Sequence, residues 1–466
     1  MLYPQVNAAR LMMEKQNLPQ QAIEQFSAML TEVVRGEQSY VPLDAVSSPG
    51  PSLLLDPATM SASLDSLSRL GVELLARVVV IKLNGGRSTT MGGEVPKGVL
   101  TAKNGLSYLD IILGQIRSVQ KQWGVQVPLA LMNSFFTHDA TKKLVQNKDI
   151  PVLTFLQNSV PRIVADTLMP LQTGTDDDWA PPGHGDVYLS LKLSGLLDQL
   201  ISQGIRWAFI SNIDNLAACL EPWILGLVRE LEIDFLLEVT ERTAADKKGG
   251  TLVVKDGRLF LLEIAQVAPE EQGAFMEIER FRVFNTNNLW VDLLSLSELL
   301  SSGSLHLPVI QNKKTAAGRL VIQLEHAMGA AISSFYNAKA LKVKRDRFFP
   351  TKTVEDLFVL QSDACVLDET FRLHKNPRRP RHLPLRPNVI FGNDFLSSPL
   401  GFPLRFEAPE TVSLLGTRRF EVRGDVYFER DVAIEGDVTV IGRPDKIRVK
   451  RGTTLKDIVI NKPLSV

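Results

Sequence analysis

Five short apolar runs punctuate the chain: VVVIKL at 78–83, VPLALM at 127–132, PVLTFL at 151–156, WAFISN at 207–212 and FLLEVT at 235–240. Each has the length and the β-branched or large apolar content of a strand buried on both faces. Helical patterns fill the intervals, and the alternation predicts an α/β domain on a largely parallel sheet. Several runs end in polar clusters, MNS, QNS, SNIDN and EVTERT. In a parallel sheet such clusters converge on one edge, where ligands bind.

The pattern changes at both ends. Residues 6–35 carry a helical period broken near Pro19, with Ala22, Ile23, Phe26, Met29, Leu30 and Val33 on one face and Gly36 beyond, which predicts two helices capping the main domain. Ser47 to Pro51 reads as a connector. Residues 375–387, KNPRRPRHLPLRP, are proline-rich and basic and predict an extended, solvated linker. After them Val422, Phe428, Ile434 and Val440 recur every six residues, as do Val426, Val432 and Val438, with Gly-Asp-Val at 424 and 436. A period-six apolar ladder predicts a short parallel β-helix serving packing or oligomerisation.

The first apolar run leads into GGRSTTMGGEVPKG. Gly85, Gly86, Gly92 and Gly93 would let backbone N–H groups approach anionic oxygens, Lys97 would add a positive charge, and Pro96 stiffens the approach to it. The loop fits neither the Walker spacing nor the dinucleotide fingerprint, so by itself it reads equally as a phosphate-holding loop and as a plain turn.

Composition narrows the setting. The 466 residues suffice for two or three domains, and 52 basic residues balance 52 acidic ones. No net field draws the chain to nucleic acid or an anionic membrane, so any phosphate affinity is local. Cys219 and Cys365 are the only cysteines, which excludes a disulfide framework or a cysteine metal site and fits a reducing compartment. With no basic-then-apolar leader and no apolar run near about 20 residues, the expectation is a cytoplasmic protein with no membrane partner.

Four further segments carry chemistry. Asn212, Asp214 and Asn215 follow an apolar run, where one carboxylate could hold Mg2+ shared with phosphate oxygens, or the same residues could form an Asx turn. PPGHGD sets His184 between Gly183 and Gly185, either as a surface turn or as a point of close approach to a ligand. FNTNNLW carries Asn285, Asn287 and Asn288, amides suited to sugar hydroxyls or to bonding one another in a loop. RFFPTKTVEDL sets Lys352 behind a proline-bearing extended stretch; alone, such a lysine reads as solvated.

Together these segments resemble the eukaryotic-type UTP:glucose-1-phosphate uridylyltransferase family from about residue 78 to 365. The matching blocks include KLNGG, MGG with PKG, LMNSFFTHDAT, DDWAPPGHGDVYLSL, FISNIDNLAA, EVTERTAADKKGGTL, LLEIAQV, FNTNNLW, QLEHAMGAAISSF and RDRFFPTKTVEDL. The resemblance implies a GT-A/Rossmann-like nucleotidyltransferase domain with a mixed, mainly parallel sheet, followed by a left-handed parallel β-helix. With the periodicity read above, the chain divides into a helical cap over 1–60, a catalytic domain over 61–374, and linker with β-helix over 375–466, whose terminal edge would serve a homo-oligomer.

The same resemblance implies site residues. Leu83, Asn84, Gly85 and Gly86 would lie against UTP and the sugar phosphate, with Lys97 on the phosphates. Gln157 and Gly183 would read the uracil edge. His184, Asn212, Ile213 and Asp214 would line the sugar-phosphate site, Asp214 also binding Mg2+. Gly250, Glu263, Asn285 and Asn287 would surround the hexose, and Lys352 would be the principal catalytic lysine. The implied reaction is attack by glucose 1-phosphate on the α-phosphorus of UTP.

The loop after the first run departs from the family's LNGGLGTxMGCxGPKS. Arg87 replaces leucine, Ser88 and Val95 replace glycines, and Gly98 replaces serine. If the position of Ser88 needs a positive φ, a serine there is strained and the loop takes another path; Arg87 either adds a phosphate donor or points to solvent. Two alternatives therefore stand beside glucose 1-phosphate uridylyl transfer: use of galactose or N-acetylglucosamine 1-phosphate, and a catalytically weak nucleotide-sugar-binding protein.

Overall fold

A computed structural model describes residues 3–36, 40–60, 62–86, 96–146, 148 and 150–462. Arg87, Ser88, Gly92, Gly93 and Val95 lie outside the described residues. Two compact units emerge, one made of residues 1–85, 125–211 and 220–345, the other of 86–124, 212–219 and 346–466.

The first unit holds an eight-stranded sheet: β1 (Leu54–Leu55), β2 (Val78–Asn84), β3 (Leu129–Asn133), β4 (Val152–Leu156), β5 (Trp207–Asn212), β6 (Phe235–Glu241), β7 (Val283–Asp292) and β8 (Ala338–Lys342). Their order across the sheet is β1-β8-β6-β7-β5-β2-β3-β4. Pairing is parallel between β1 and β8, β8 and β6, β2 and β3, and β3 and β4, while β7 runs antiparallel to both β5 and β6. All five apolar runs became strands of this mixed, mainly parallel sheet. FNTNNLW, read either as amides for sugar hydroxyls or as a hydrogen-bonded loop, lies in β7, where tertiary pairing on both sides supplies the ladder that three asparagines disfavour locally.

Alternate residues of the central strands feed one core, among them Val79, Ile81, Ala130, Met132, Ile210, Leu237, Leu289 and Val291, joined by Val187, Leu191, Leu197 and Leu296 from flanking helices. The opposite parity is also buried but polar in part: Lys82, Ser211, Glu238 and Asn288. The expected N-terminal helices form as α1 (Pro4–Lys15) and α2 (Gln20–Val34). Phe26, Met29 and Leu30 of α2 pack with Val160, Ile163, Ile322 and Leu324 of the same unit.

In the second unit, helix α3 (Tyr108–Trp123) is started by a reciprocal Ser107–Asp110 capping box and α4 (Val354–Gln361) by a Thr353–Asp356 box. Four parallel strands follow, β9 (Asn388–Phe391), β10 (Ser413–Phe428), β11 (Ala433–Val449) and β12 (Thr454–Ile460). Phe420 pairs with Val438 and Val422 with Val440, and every position of the two six-residue ladders is buried.

The extended, solvated linker is corrected: the segment turns at 377–378 and 381–382, and Asn376, Arg379, Leu383 and Pro387 are buried. Arg379 is 2% exposed, and its guanidinium donates to the carbonyls of Pro384, Leu414, Leu415 and Thr417. A basic residue read as solvated is the clamp that ties residues 376–384 to β10, because a planar fork satisfies several carbonyls at once.

Candidate functional site

The ends of β2 and β3 are stitched together. Asn84 Nδ2 donates to Asn133 Oδ1 and to Thr141 Oγ1, each at 2.8 Å, so this amide, expected against UTP, serves the strand ends. Gly85 follows, its carbonyl accepting from Ser134 Oγ at 2.7 Å. A Cβ on Gly85 would stand 2.8 Å from Gln157 Oε1. Gln157 Nε2 in turn donates to the Gly183 carbonyl at 2.6 Å. Gly183 has φ 82°, and a Cβ there would meet the His326 carbonyl oxygen at 2.5 Å and its nitrogen at 2.7 Å. Gly85, Gln157 and Gly183 are therefore contiguous, and only glycine fits the third position.

His184 Nδ1 accepts from the Met328 N–H at 2.9 Å, so the neutral ring carries its proton on Nε2. Burial pulls His326 down to about 4, keeping it neutral near pH 7. Asp186 closes the turn: its carboxylate accepts from Asn158 N–H, Asn158 Nδ2 and Ser190 Oγ. Burial pushes Asp186 up to about 6 against those hydrogen bonds.

The four residues expected around the hexose also meet. Asn285 N–H donates to the Gly250 carbonyl at 3.0 Å, Asn285 Nδ2 donates to Asn287 Oδ1 at 2.9 Å, and Asn287 N–H donates to Asn285 Oδ1 at 2.8 Å. Asn287 holds φ 56°, which asparagine tolerates better than most residues. The Gly250 Cα faces the Glu263 carboxylate so closely that a Cβ would overlap it. Burial pushes Glu263 up to about 7, with the positive charge of Arg242 opposing.

The second unit gathers the charged residues. Lys97, in a short turn after Pro96 that also buries Gly98, donates from Nζ to Asp214 Oδ2 at 2.8 Å and to the Thr351 carbonyl at 3.0 Å. Lys352 Nζ lies 3.6 Å from the same Asp214 oxygen, and its side chain is 57% exposed. Residues 212–215 form a backbone turn, the Asn212 carbonyl accepting from the Asn215 N–H at 3.2 Å, and it is fastened to the 347–351 segment. Asn215 Oδ1 accepts from Phe349 N–H, and the Asp214 carbonyl accepts from Thr351 N–H. Burial would raise the Asp214 carboxyl, but Lys352 and Lys97 hold it below the usual carboxylate range.

Asp214 Oδ1 is buried without a hydrogen-bond partner among the described residues. No cluster of three or more His, Cys, Asp or Glu suited to a metal occurs among the described residues. Mg2+ needs no such cluster when phosphate oxygens and water complete its shell, so a single orphaned carboxylate oxygen fits it.

A family model described as UTP–glucose-1-phosphate uridylyltransferase matches residues 23–435. The chain belongs to that family. It is 40% identical over 446 residues to the UTP–glucose-1-phosphate uridylyltransferase of Hordeum vulgare, covering 94% of this chain and 93% of the relative. Against the probable uridylyltransferase of Schizosaccharomyces pombe the identity is 38%, covering 95% and 87%. Among solved structures, a mutant UDP-glucose pyrophosphorylase from Leishmania major in complex with UDP-glucose aligns with TM-score 0.87 at 33% identity, covering 99% of this chain and all of that one. The Trypanosoma brucei UDP-glucose phosphorylase aligns with TM-score 0.88 at 34% identity over the same shares.

Within this uridylyltransferase the sequence did not single out Ser134, His326, Tyr108 or Thr351. Ser134 and His326 sit inside blocks that carried the resemblance. Their contacts to Gly85 and Gly183 join distant segments, which no local spacing announces.

Proposed function

We propose that this uridylyltransferase joins UTP to glucose 1-phosphate, forming UDP-glucose and releasing pyrophosphate. A phosphate oxygen of the sugar attacks the α-phosphorus as its bond to the bridging oxygen of pyrophosphate breaks. A phosphate monoester has its second pKa at about 6, so the attacking group is already largely dianionic and needs no strong base. The chemical difficulty is bringing two polyanions together, which positioned positive charge relieves.

The observation that carries the reading is the pairing of Lys97 and Lys352 on one oxygen of Asp214. Lys352, the more exposed, is assigned to the reacting phosphates, and Lys97 to phosphate binding and to holding Asp214. Asp214 Oδ1 would hold Mg2+, which when bound supplies further charge neutralisation at phosphate oxygens. Gln157 and Gly183 are assigned to the uracil edge, and Leu83, Asn84, Gly85 and Gly86 to the UTP and sugar phosphates, Asn84 through its backbone. His184, Asn212 and Ile213 are assigned to the sugar phosphate, and Gly250, Glu263, Asn285 and Asn287 to the hexose.

Three further assignments belong to the same reading. The parallel strands β9–β12 form a left-handed β-helix, supported by the ladder positions stacked in Phe420–Val438 and Val422–Val440. Its last strand, with Val459 exposed, is the edge for a homo-oligomer, and cap, catalytic domain and β-helix act as the functional divisions. The enzyme works in the cytoplasm, as two buried free thiols suit.

The test is Mg2+-dependent pyrophosphate release from UTP with glucose, galactose and N-acetylglucosamine 1-phosphates, for wild type and Lys352→Ala. Release with glucose 1-phosphate, lost in the variant, is expected. Release with another sugar only, or UTP binding without release, would overturn the assignment.

A further inference from the structure

The paired asparagines of the hexose group stand on an irregularity in the sheet. Glu238 of β6 pairs with Asn288 of β7, but the next residue, Val239, pairs with Asn285. Thr286 and Asn287 are thus extra residues on β7, a bulge that turns Asn287 to positive φ and lets it bond Asn285. Bulges re-aim side chains, and they hold one shape only where something fixes the slack.

Glu238 meets three groups on this stretch. Its carbonyl accepts from Thr286 Oγ1 at 2.7 Å, its Oε2 accepts from Asn288 Nδ2 at 3.1 Å, and its Oε1 accepts from Trp290 Nε1 at 3.0 Å. Glu238 and Asn288 are 0% exposed and Trp290 1%. A fully buried carboxylate is costly, and a neutral apolar residue of similar size would usually pack as well. What the carboxylate adds is two acceptors aimed at two donors on one strand, beside a backbone anchor on the bulge itself.

We infer that Glu238 is the positioning residue for hexose recognition: it locks the register of β7 and the bulge, and so sets where Asn285 and Asn287 meet the sugar. The inference rests on the assignment of those two asparagines to the hexose. Glu238 touches no substrate, and the uracil-side residues Gln157 and Gly183 bond elsewhere in the same unit. Loosening the clamp therefore acts on the sugar phosphate and leaves UTP untouched.

Glu238→Gln keeps the volume but turns one acceptor into a donor, facing Asn288 Nδ2 or Trp290 Nε1. The expected result is a KM for glucose 1-phosphate raised about tenfold, with the KM for UTP within about twofold of wild type. Adding Asn288→Asp restores the match, because the new amide then donates to the new carboxylate while its oxygen still accepts from Trp290. The double variant is expected to recover most of the sugar KM, which a merely structural role for Glu238 does not predict. Equal changes in both KM values, or no recovery in the double variant, overturn the inference.

Should Glu238→Gln fail to fold, Thr286→Val removes the hydroxyl bond to the Glu238 carbonyl, together with the longer bond that the Asn288 N–H donates to that hydroxyl, and leaves the Glu238 carboxylate in place; a selective rise in the sugar KM supports the inference and its absence overturns it. Asn285→Ala separates the levels. If it leaves the KM for glucose 1-phosphate unchanged, the hexose assignment fails and the inference with it; if it raises that KM while the Glu238 and Thr286 variants do not, the inference alone fails.

Discussion

Lys97 Nζ lies 2.8 Å from Asp214 Oδ2, and Lys352 Nζ approaches the same oxygen at 3.6 Å, yet the Lys97 side chain is 11% exposed and that of Lys352 57%. One carboxylate oxygen thus serves two ammonium groups in different surroundings. Lys352→Ala should lower kcat by about two to three orders of magnitude, as loss of a group stabilising transition-state charge does, and hardly move Tm. Lys97→Met should lower activity and also cost ~3–5 kcal/mol, because it leaves a buried carboxylate short of a partner. Steady-state kinetics and thermal melts on both variants check the split; equal melting losses would contradict it.

Gly183 combines a left-handed φ with backbone on two sides. Gly183→Ala should therefore strain the turn by ~1–3 kcal/mol. It should also shift the carbonyl that accepts from Gln157, raising the KM for UTP more than that for glucose 1-phosphate. Gly273→Ala is the control, since Gly273 has no positive φ, lies outside the proposed site, and a Cβ there meets nothing within 4 Å. Nucleotide titration of both proteins gives the comparison.

Glu263 sets a pH dependence whose sign follows from its raised value. Burial lifts it from the ordinary 4.5 of a glutamate to about 7, so between those values the folded protein binds more protons than the unfolded chain. Its contribution to stability therefore falls as pH rises from about 4.5 to 7 and stays low above that. Glu263→Gln should remove this slope, gaining stability relative to wild type at pH 8 but not at pH 4.5. Urea midpoints across that range measure it; parallel curves for the two proteins would refute the assignment.

Arg379 donates to four carbonyls at the start of the C-terminal strands. Arg379→Leu should cost more than about 3 kcal/mol, since each carbonyl left buried and unbonded loses roughly 1 kcal/mol or more. Arg378→Leu, next to it, should be nearly silent because Arg378 is exposed. Limited proteolysis of the C-terminal region, with Tm, distinguishes the two.

Much was legible in the residues alone. The five apolar runs marked strands because a strand buried on both faces leaves a continuous apolar stretch, a local signal. The six-residue ladder likewise announced buried positions and parallel pairing in β10 and β11. Lys97, Asp214 and Lys352 were named through motifs and meet within one unit, and Gly250, Glu263, Asn285 and Asn287 were named likewise and meet within the other. Illegible features were those whose partners are far apart in the chain: β7, whose asparagines read as a loop, and Arg379, whose charge read as solvation.

The sequence by itself determined the family, five of the eight strands of the central sheet, and the residue types that the chemistry needs, since periodicity and motif spacing are properties of neighbouring residues. Only the tertiary structure decided which groups share a proton, a carbonyl or a carboxylate. Lys97 and Lys352 meet Asp214 from 117 and 138 positions away, and Glu238 holds a bulge about 50 positions on. Such pairings arise when packing removes water from polar groups and obliges each to find a partner in the protein, and no local pattern encodes which partner that is.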